Sequence, residues 1–242
     1  MTKRLCLWSG PRNVSTALMY SFAQRSDTRV VDEPLYAHFL VNHPARGYHP
    51  GAELCIQSQD NDGERVVQNV FLAETDSPVV FFKSMAHHLI ELDWDFLKQM
   101  INVLLIRDPR DMLHSYSKTI EAFNLEDTGY PQLKEIYDYL DEAGIPPMVV
   151  DSKTLLQNPE TSLRAMCSFA GIPFETAMLS WQSGPKPFEG AWAPYWYHNV
   201  HGSTGFIPYH SKTEPFPENL QPLLDSCHPF YAYLKEREEP GF

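Results

Sequence analysis

The run Ile101-Asn102-Val103-Leu104-Leu105-Ile106 is apolar almost throughout and lacks the alternation of a half-exposed strand. Such a strand has to be covered on both faces, the condition met by a parallel sheet with helices packed on either side. Val79–Phe82 has the same character, and Arg4–Trp8, Arg29–Asp32 and Pro147–Val150 read as further short strands. Helical spacing occupies the intervals: Ser15–Arg25, a helix started by Pro34 through Leu35–Leu40, and Gly63–Glu74. Asp93 is placed to cap a helix over residues 94–100, and further helices are expected from Asp111 to about Ala122, over Pro131–Ala143 ahead of Gly144, and from Asn158-Pro159 to Gly171. Strands alternating with helices predict a three-layer α/β/α fold around a central parallel sheet.

From about Ile172 to Pro217 the alternation stops. This stretch is rich in proline and holds Trp181, Trp192, Tyr195, Trp196, Tyr197, Phe206 and Tyr209, too many aromatics for a disordered linker. It reads as an ordered segment packed over the sheet, followed by two short helices near Leu220–Cys227 and Phe230–Glu238. A length of 242 residues suits one domain, 1–242, with its α/β core at 1–171 and residues 172–242 covering the site. The formal net charge of −12 argues against a nucleic-acid polymer or an anionic membrane as partner, so any anion site has to be a local basic pocket. Cys6, Cys55, Cys167 and Cys227 are too scattered for a zinc site or a disulfide framework, and no apolar run reaches the ~20 residues of a membrane span. The expectation is a cytoplasmic protein, either a monomer or a homodimer.

The first strand, Arg4–Trp8, passes through a loop, Ser9–Val14, into a helix that opens at Ser15-Thr16. The first N–H groups of a helix have no intrahelical partner and carry the positive end of its dipole, so this is the geometry of a phosphate cradle. Arg12 adds a full charge, and Ser15 and Thr16 add hydroxyls. Ligands of parallel sheets sit beyond the carboxyl ends of the strands, and Arg12, Glu33 and Arg107 each follow a strand there, which points to one composite site. The loop is not G-x-x-x-x-G-K-[ST], because no lysine precedes Ser15-Thr16.

Pro11-Arg12-Asn13-Val14-Ser15-Thr16 resembles instead the P-[KR]-S-G-[ST]-T loop of sulfotransferases that use 3′-phosphoadenosine 5′-phosphosulfate, with Asn13 and Val14 in place of the usual Ser and Gly. Arg107-Asp108-Pro109-Arg110-Asp111 with Ser115 is similar to the second signature of that family, R-[DN]-P-x-D-x-x-x-S. The resemblance implies a P-loop-like α/β/α fold. It also implies sulfuryl transfer from 3′-phosphoadenosine 5′-phosphosulfate, the co-substrate, to an alcohol, phenol or amine of a small molecule, without a metal. Carried onto this chain, it makes Arg12, Asn13, Val14, Ser15 and Thr16 the phosphosulfate loop and Arg107 with Ser115 the grip on the 3′-phosphate. Arg12 would stabilise the leaving phosphate.

Cytosolic animal members place a basic His after the third strand. Met85 stands at that position here, with His87 and His88 close by. Glu33 in Asp32-Glu33-Pro34 looks like the glutamate that several bacterial members use as base, with His88 or His87 as the alternative. Lys83 either touches the sulfonate or packs its stem at a strand end, and Gly202-Ser203-Thr204 reads as either a lid over the cofactor or a plain turn. The aromatics at 192–197 either stack on the ligands or form a satellite core. A P-loop kinase of a small metabolite and a non-catalytic nucleotide-binding module remain the alternative readings.

Overall fold

The structure, a computed structural model, describes residues 2–210 and 214–238. Residues 211–213 and 239–242 of the expected covering segment lie outside the described residues. Strand β1 (Lys3–Ser9) leads to helix α1 (Ser15–Phe22), and β2 (Thr28–Asp32) leads to α2 (Tyr36–Asn42). After α3 (Ala52–Ser58) and α4 (Gly63–Val66) come β3 (Val79–Met85) and β4 (Ile101–Ile106). Helices α5 (Pro109–Tyr116) and α6 (Tyr130–Glu142) lead to β5 (Met148–Asp151), α7 (Ser152–Gln157) and α8 (Pro159–Ala170). The covering segment holds the short helices α9 (Ala193–Trp196) and α10 (His198–His201), and α11 (Gln221–Lys235) follows.

All strand pairs are parallel, in the order β2-β3-β1-β4-β5, so the five-stranded sheet is the expected one. Successive residues of a strand point to opposite faces, and both faces are covered. Leu5, Leu7, Phe81, Val103 and Leu105 pack on the side of α1, α2 and α8, together with Trp181, Trp192 and Tyr197 of the covering segment. Cys6, Trp8, Val80, Phe82, Leu104 and Ile106 pack against Leu133, Ile136 and Leu140 of α6 and Leu234 of α11. Asn102, the polar interruption in β4, is fully used. It accepts from Trp8 Nε1 at 3.0 Å and donates to the carbonyls of Leu97 and Met100 at 2.8 and 3.2 Å.

Several expected elements differ in extent. Residues 94–99 form a 3₁₀ helix whose start Asp93 caps, and α5 stops at Tyr116 rather than near Ala122. The Gly63–Glu74 helix is α4 continued by a π turn, Val67–Phe71. Helix α7 was hidden because Asp151, the last residue of β5, also caps it, accepting from Lys153 N–H at 2.7 Å. The two expected C-terminal helices are one, α11, which runs through Pro229. Proline removes an intrahelical hydrogen bond, but burial of Leu224, Cys227 and Leu234 holds the helix together across it.

The loop after β1 is wedged against the loop before α6. A Cβ on Gly10 would lie 2.5 Å from the Thr128 carbonyl oxygen, and one on Gly129, at φ 74°, would lie 3.2 Å from the Gly10 Cα. Glycine is therefore needed at Gly10 for closeness rather than for dihedral freedom. Gly10→Ala is expected to cost about 1–3 kcal/mol through forced backbone movement, whereas Gly47→Ala, where a Cβ meets nothing within 4 Å, is expected to be nearly neutral. Denaturant unfolding of the two variants checks this.

Candidate active site at the carboxyl ends of the strands

Two cavities meet at the loop after β1. The larger, about 400 Å³, is lined by Arg12, Asn13, Val14, Thr16, Arg107 and Ser115 from the core, and its outer wall, from Trp196 to His210, comes from the covering segment. The smaller, about 90 Å³, lies between the same loop and Glu33, Lys83, Met85, His87 and His88, with Tyr36, His49 and Tyr116 closing it. Arg12, Asn13, Thr16, Trp196 and Tyr197 belong to both.

The loop is held open by its own side chains. Asn13 accepts from Val14 N–H at 2.9 Å and donates to the Leu105 carbonyl at the end of β4, also at 2.9 Å. Val14 sits at φ −88°, an ordinary conformation, so the missing glycine strains nothing at that position. The left-handed residue of the loop is Arg12, at φ 54°. The first intrahelical bond of α1 runs from Leu18 N–H to Val14 O at 3.1 Å, which leaves the N–H groups of the first turn available to an anion. Ser15 reaches the smaller cavity, and Thr16 reaches both.

Arg12 and Arg107 are brought together as expected. Arg12 Nε donates to Ser115 Oγ at 3.1 Å, and Arg107 donates to the Arg12 carbonyl. Neither guanidinium has a carboxylate partner among the described residues. Burial, and then the charge of Arg107, lowers the pKa of Arg12. Two adjacent cations without a carboxylate partner, beside a helix N-terminus, are an arrangement suited to an anion.

On the other side of the loop, register brings charges together, because Asp32 of β2 lies opposite Lys83 of β3. Lys83 is buried, 3.2 Å from Asp32 Oδ1, and also pairs with Glu33. Its ammonium donates to the Tyr197 hydroxyl at 2.6 Å, and that hydroxyl in turn reaches Asp32 at 2.8 Å and accepts from Trp192 Nε1 at 3.0 Å. Burial alone would lower the Lys83 pKa, but the two carboxylates outweigh it and the pKa is raised. Glu33 is held above the usual carboxylate range by burial, with Lys83 pulling the other way. Its backbone is left-handed, at φ 40°, and its N–H is fixed by the Lys83 carbonyl at 2.7 Å.

His87 and His88 are both buried and both line the smaller cavity. The His88 ring stacks on Tyr36 and Phe39, at 5.0 and 4.7 Å between centroids. Burial lowers His87 to about 3, His88 well below its ordinary value, and His49 to about 4, so all three are neutral at pH 7. In the turn expected to be a lid or a plain bend, Ser203 lines the larger cavity, while Gly202 and Thr204 are not on its wall. The Ser203 hydroxyl accepts from Trp181 Nε1 at 3.2 Å and donates to the Val200 carbonyl at 2.9 Å. Of the aromatic cluster, Trp192 is core and Trp196 separates the cavities. Tyr36, His49 and Tyr116 went unrecognised as cavity wall, and Tyr197, one of the aromatics at 192–197, was not recognised as a polar hub, because nothing in local periodicity marks which side chains meet after folding. No group of three or more His, Cys, Asp or Glu side chains among the described residues is arranged to hold a metal ion, and no helix there is long and apolar enough to cross a membrane.

A family model described as a sulfotransferase domain matches residues 3–238. Two proteins of Arabidopsis thaliana, branched-chain-amino-acid aminotransferase-like proteins 2 and 1, are 37% and 40% identical over 94% of this chain. The chain spans only 40% and 41% of their lengths. Among solved structures, a sulfotransferase from Alicyclobacillus acidocaldarius superimposes with a TM-score of 0.53 at 15% identity, covering 98% of this chain and 96% of its own, which is a likeness of fold.

The buried histidines make stability depend on pH. Their folded pKa values lie below the ordinary 6.5, so below that pH the unfolded chain takes up protons that the folded chain refuses. The stability they confer is complete above pH 6.5 and is lost as pH falls towards about 4 and then about 3. Unfolding free energy is expected to drop between pH 7 and pH 5 by up to about 1.4 kcal/mol per pH unit for each histidine. A His87→Gln/His88→Gln variant should show a shallower slope in denaturant titrations at matched ionic strength. An unchanged slope would contradict the neutral, buried state.

Proposed function

The chain belongs to the sulfotransferase-domain family, and from that premise we propose that it transfers a sulfuryl group from 3′-phosphoadenosine 5′-phosphosulfate to a hydroxyl or amine of a small molecule. The observation that carries this reading is the meeting of the two cavities at the Arg12 loop. One side has two unpaired guanidiniums and a volume within the ~300–1,000 Å³ of ordinary ligand pockets. The other side has a buried carboxylate.

Arg12 and the N–H groups of the first turn of α1 face the phosphosulfate, with Asn13, Val14, Ser15 and Thr16 shaping the cradle. Arg107 and Ser115 hold the 3′-phosphate. The bond between Ser115 and Arg12 ties this grip to the group that meets the leaving oxygen. Ser203 closes the larger cavity from outside, and Gly202 and Thr204 set the turn that places it. Glu33 takes the proton of the acceptor as the acceptor oxygen or nitrogen bonds to sulfur and the sulfur–oxygen bond to the phosphate breaks. The products are the sulfated acceptor and 3′-phosphoadenosine 5′-phosphate. Arg12 compensates the charge that develops on the departing phosphate oxygen. Lys83 favours the ionised form of Glu33 in a buried setting, which a base requires. His88 belongs to the acceptor wall and is the competing base. The working unit is the single domain, with no polymer or membrane as partner.

3′-Phosphoadenosine 5′-phosphate at ~100-fold excess over Kd should stabilise the fold by ~2.7 kcal/mol in thermal unfolding. Stabilisation by ATP with magnesium alone would sink the reading. Arg107→Ala should keep the fold and weaken that nucleotide at least tenfold. Glu33→Gln should lower turnover of the sulfate donor by roughly 10²–10⁴-fold with nucleotide binding kept, and wild-type turnover in that variant together with loss in His88→Gln would move the base to His88. For the native protein, turnover should fall as pH drops through the raised Glu33 pKa, an acid limb lying above the ordinary glutamate value of 4.5.

A further inference from the structure

The acceptor side of the site is narrower and differently charged than the family reading requires. At about 90 Å³ it is smaller than the ~150 Å³ cavity that takes up a benzene ring, and the group in transit has to share it. Its one carboxylate is Glu33, and its cations are spoken for. Lys83 is held by Asp32, Glu33 and Tyr197, and Arg12 by Ser115 and the donor side. In the proposed reading, an acceptor bearing a carboxylate would face Glu33 with Lys83 already paired and Arg12 engaged by the donor phosphosulfate. The remaining polar lining is neutral: Asn13, Ser15 and Thr16 of the loop, tyrosine hydroxyls, and the imidazoles of His49, His87 and His88. His87 Nδ1 and His88 Nδ1 are buried without a hydrogen-bond partner among the described residues, although buried polar atoms are normally paired. An unpaired neutral imidazole nitrogen is satisfied by a ligand hydroxyl in either tautomer and by a ligand N–H where the nitrogen is the acceptor, and the rings of Tyr36, Tyr116 and Trp196 accept an aliphatic stem or an ammonium group.

We propose that the acceptor is a short aliphatic alcohol carrying a second hydrogen-bond donor, a diol or an amino alcohol without a carboxylate, and that His87 and His88 select it. The inference rests on the sulfotransferase reading and narrows it to one chemical class, with aryl and acidic acceptors excluded.

The test is release of 3′-phosphoadenosine 5′-phosphate from the sulfate donor by the native protein with four probes: 2-aminoethanol, propane-1,2-diol, L-serine and 4-nitrophenol. L-Serine is 2-aminoethanol with a carboxylate added, so that pair isolates charge, and 4-nitrophenol isolates ring size. The expected result is kcat/KM at least tenfold higher with 2-aminoethanol or propane-1,2-diol than with L-serine or 4-nitrophenol. Equal or better turnover of L-serine or 4-nitrophenol overturns the proposal. So does the absence of turnover with both short alcohols while 3′-phosphoadenosine 5′-phosphate still raises Tm. Failure of that nucleotide to raise Tm fails the sulfotransferase reading itself, a separable outcome. In His87→Phe and His88→Phe, KM for the preferred alcohol should rise at least tenfold with the nucleotide-induced Tm shift kept. An unchanged KM in both variants overturns the assigned selectivity.

Discussion

One ammonium group organises the wall of the smaller cavity. Lys83 sits buried in β3 with Asp32 and Glu33 at the end of β2, and the Tyr197 hydroxyl completes its shell. Taking three charges out of water is expensive, and losing one member of such a cluster typically costs about 3–5 kcal/mol, because the others are left uncompensated. The cluster is kept together by sheet register, since Asp32 lies directly opposite Lys83. A register slip would separate the charges and turn every apolar side chain of β2 to the wrong face. The same contacts fix Glu33 in a left-handed backbone that an unsupported residue would leave.

Across the loop the electrostatic logic is inverted. Arg12 and Arg107 approach each other with no carboxylate partner among the described residues, and the covering segment brings no carboxylate to that wall. In a chain with a net charge of −12, this positive corner has to be local. The pocket is flanked on one side by cations lacking an anion and on the other by a carboxylate pair sharing one cation. That asymmetry distinguishes the two cavities more clearly than the shape of either does.

The sheet was legible because strands buried on both faces leave continuous apolar runs, and β4 was read to its exact limits, Ile101–Ile106. The corner at Arg12 was legible because strand, loop and helix start occupy neighbouring positions in the chain. Short helices such as α3 and α7 were lost because one or two turns carry too little periodicity, and α11 was divided because Pro229 is a local signal that long-range burial overrides. The polar hub at Tyr197 was beyond reach for a related reason. Its partners stand 165 residues earlier at Asp32 and 114 earlier at Lys83, and they meet only once the covering segment has folded onto the sheet.

Tyr197 is also part of the wall of both cavities, with its hydroxyl anchored in the Asp32–Lys83 cluster. A partition shared by two compartments is a route by which their occupants would communicate. If filling one cavity moves that ring and so alters the affinity of the other cavity by some factor, filling the second alters the affinity of the first by the same factor. Tyr197, with Trp196 beside it, is therefore where the filling of one cavity would be felt in the other.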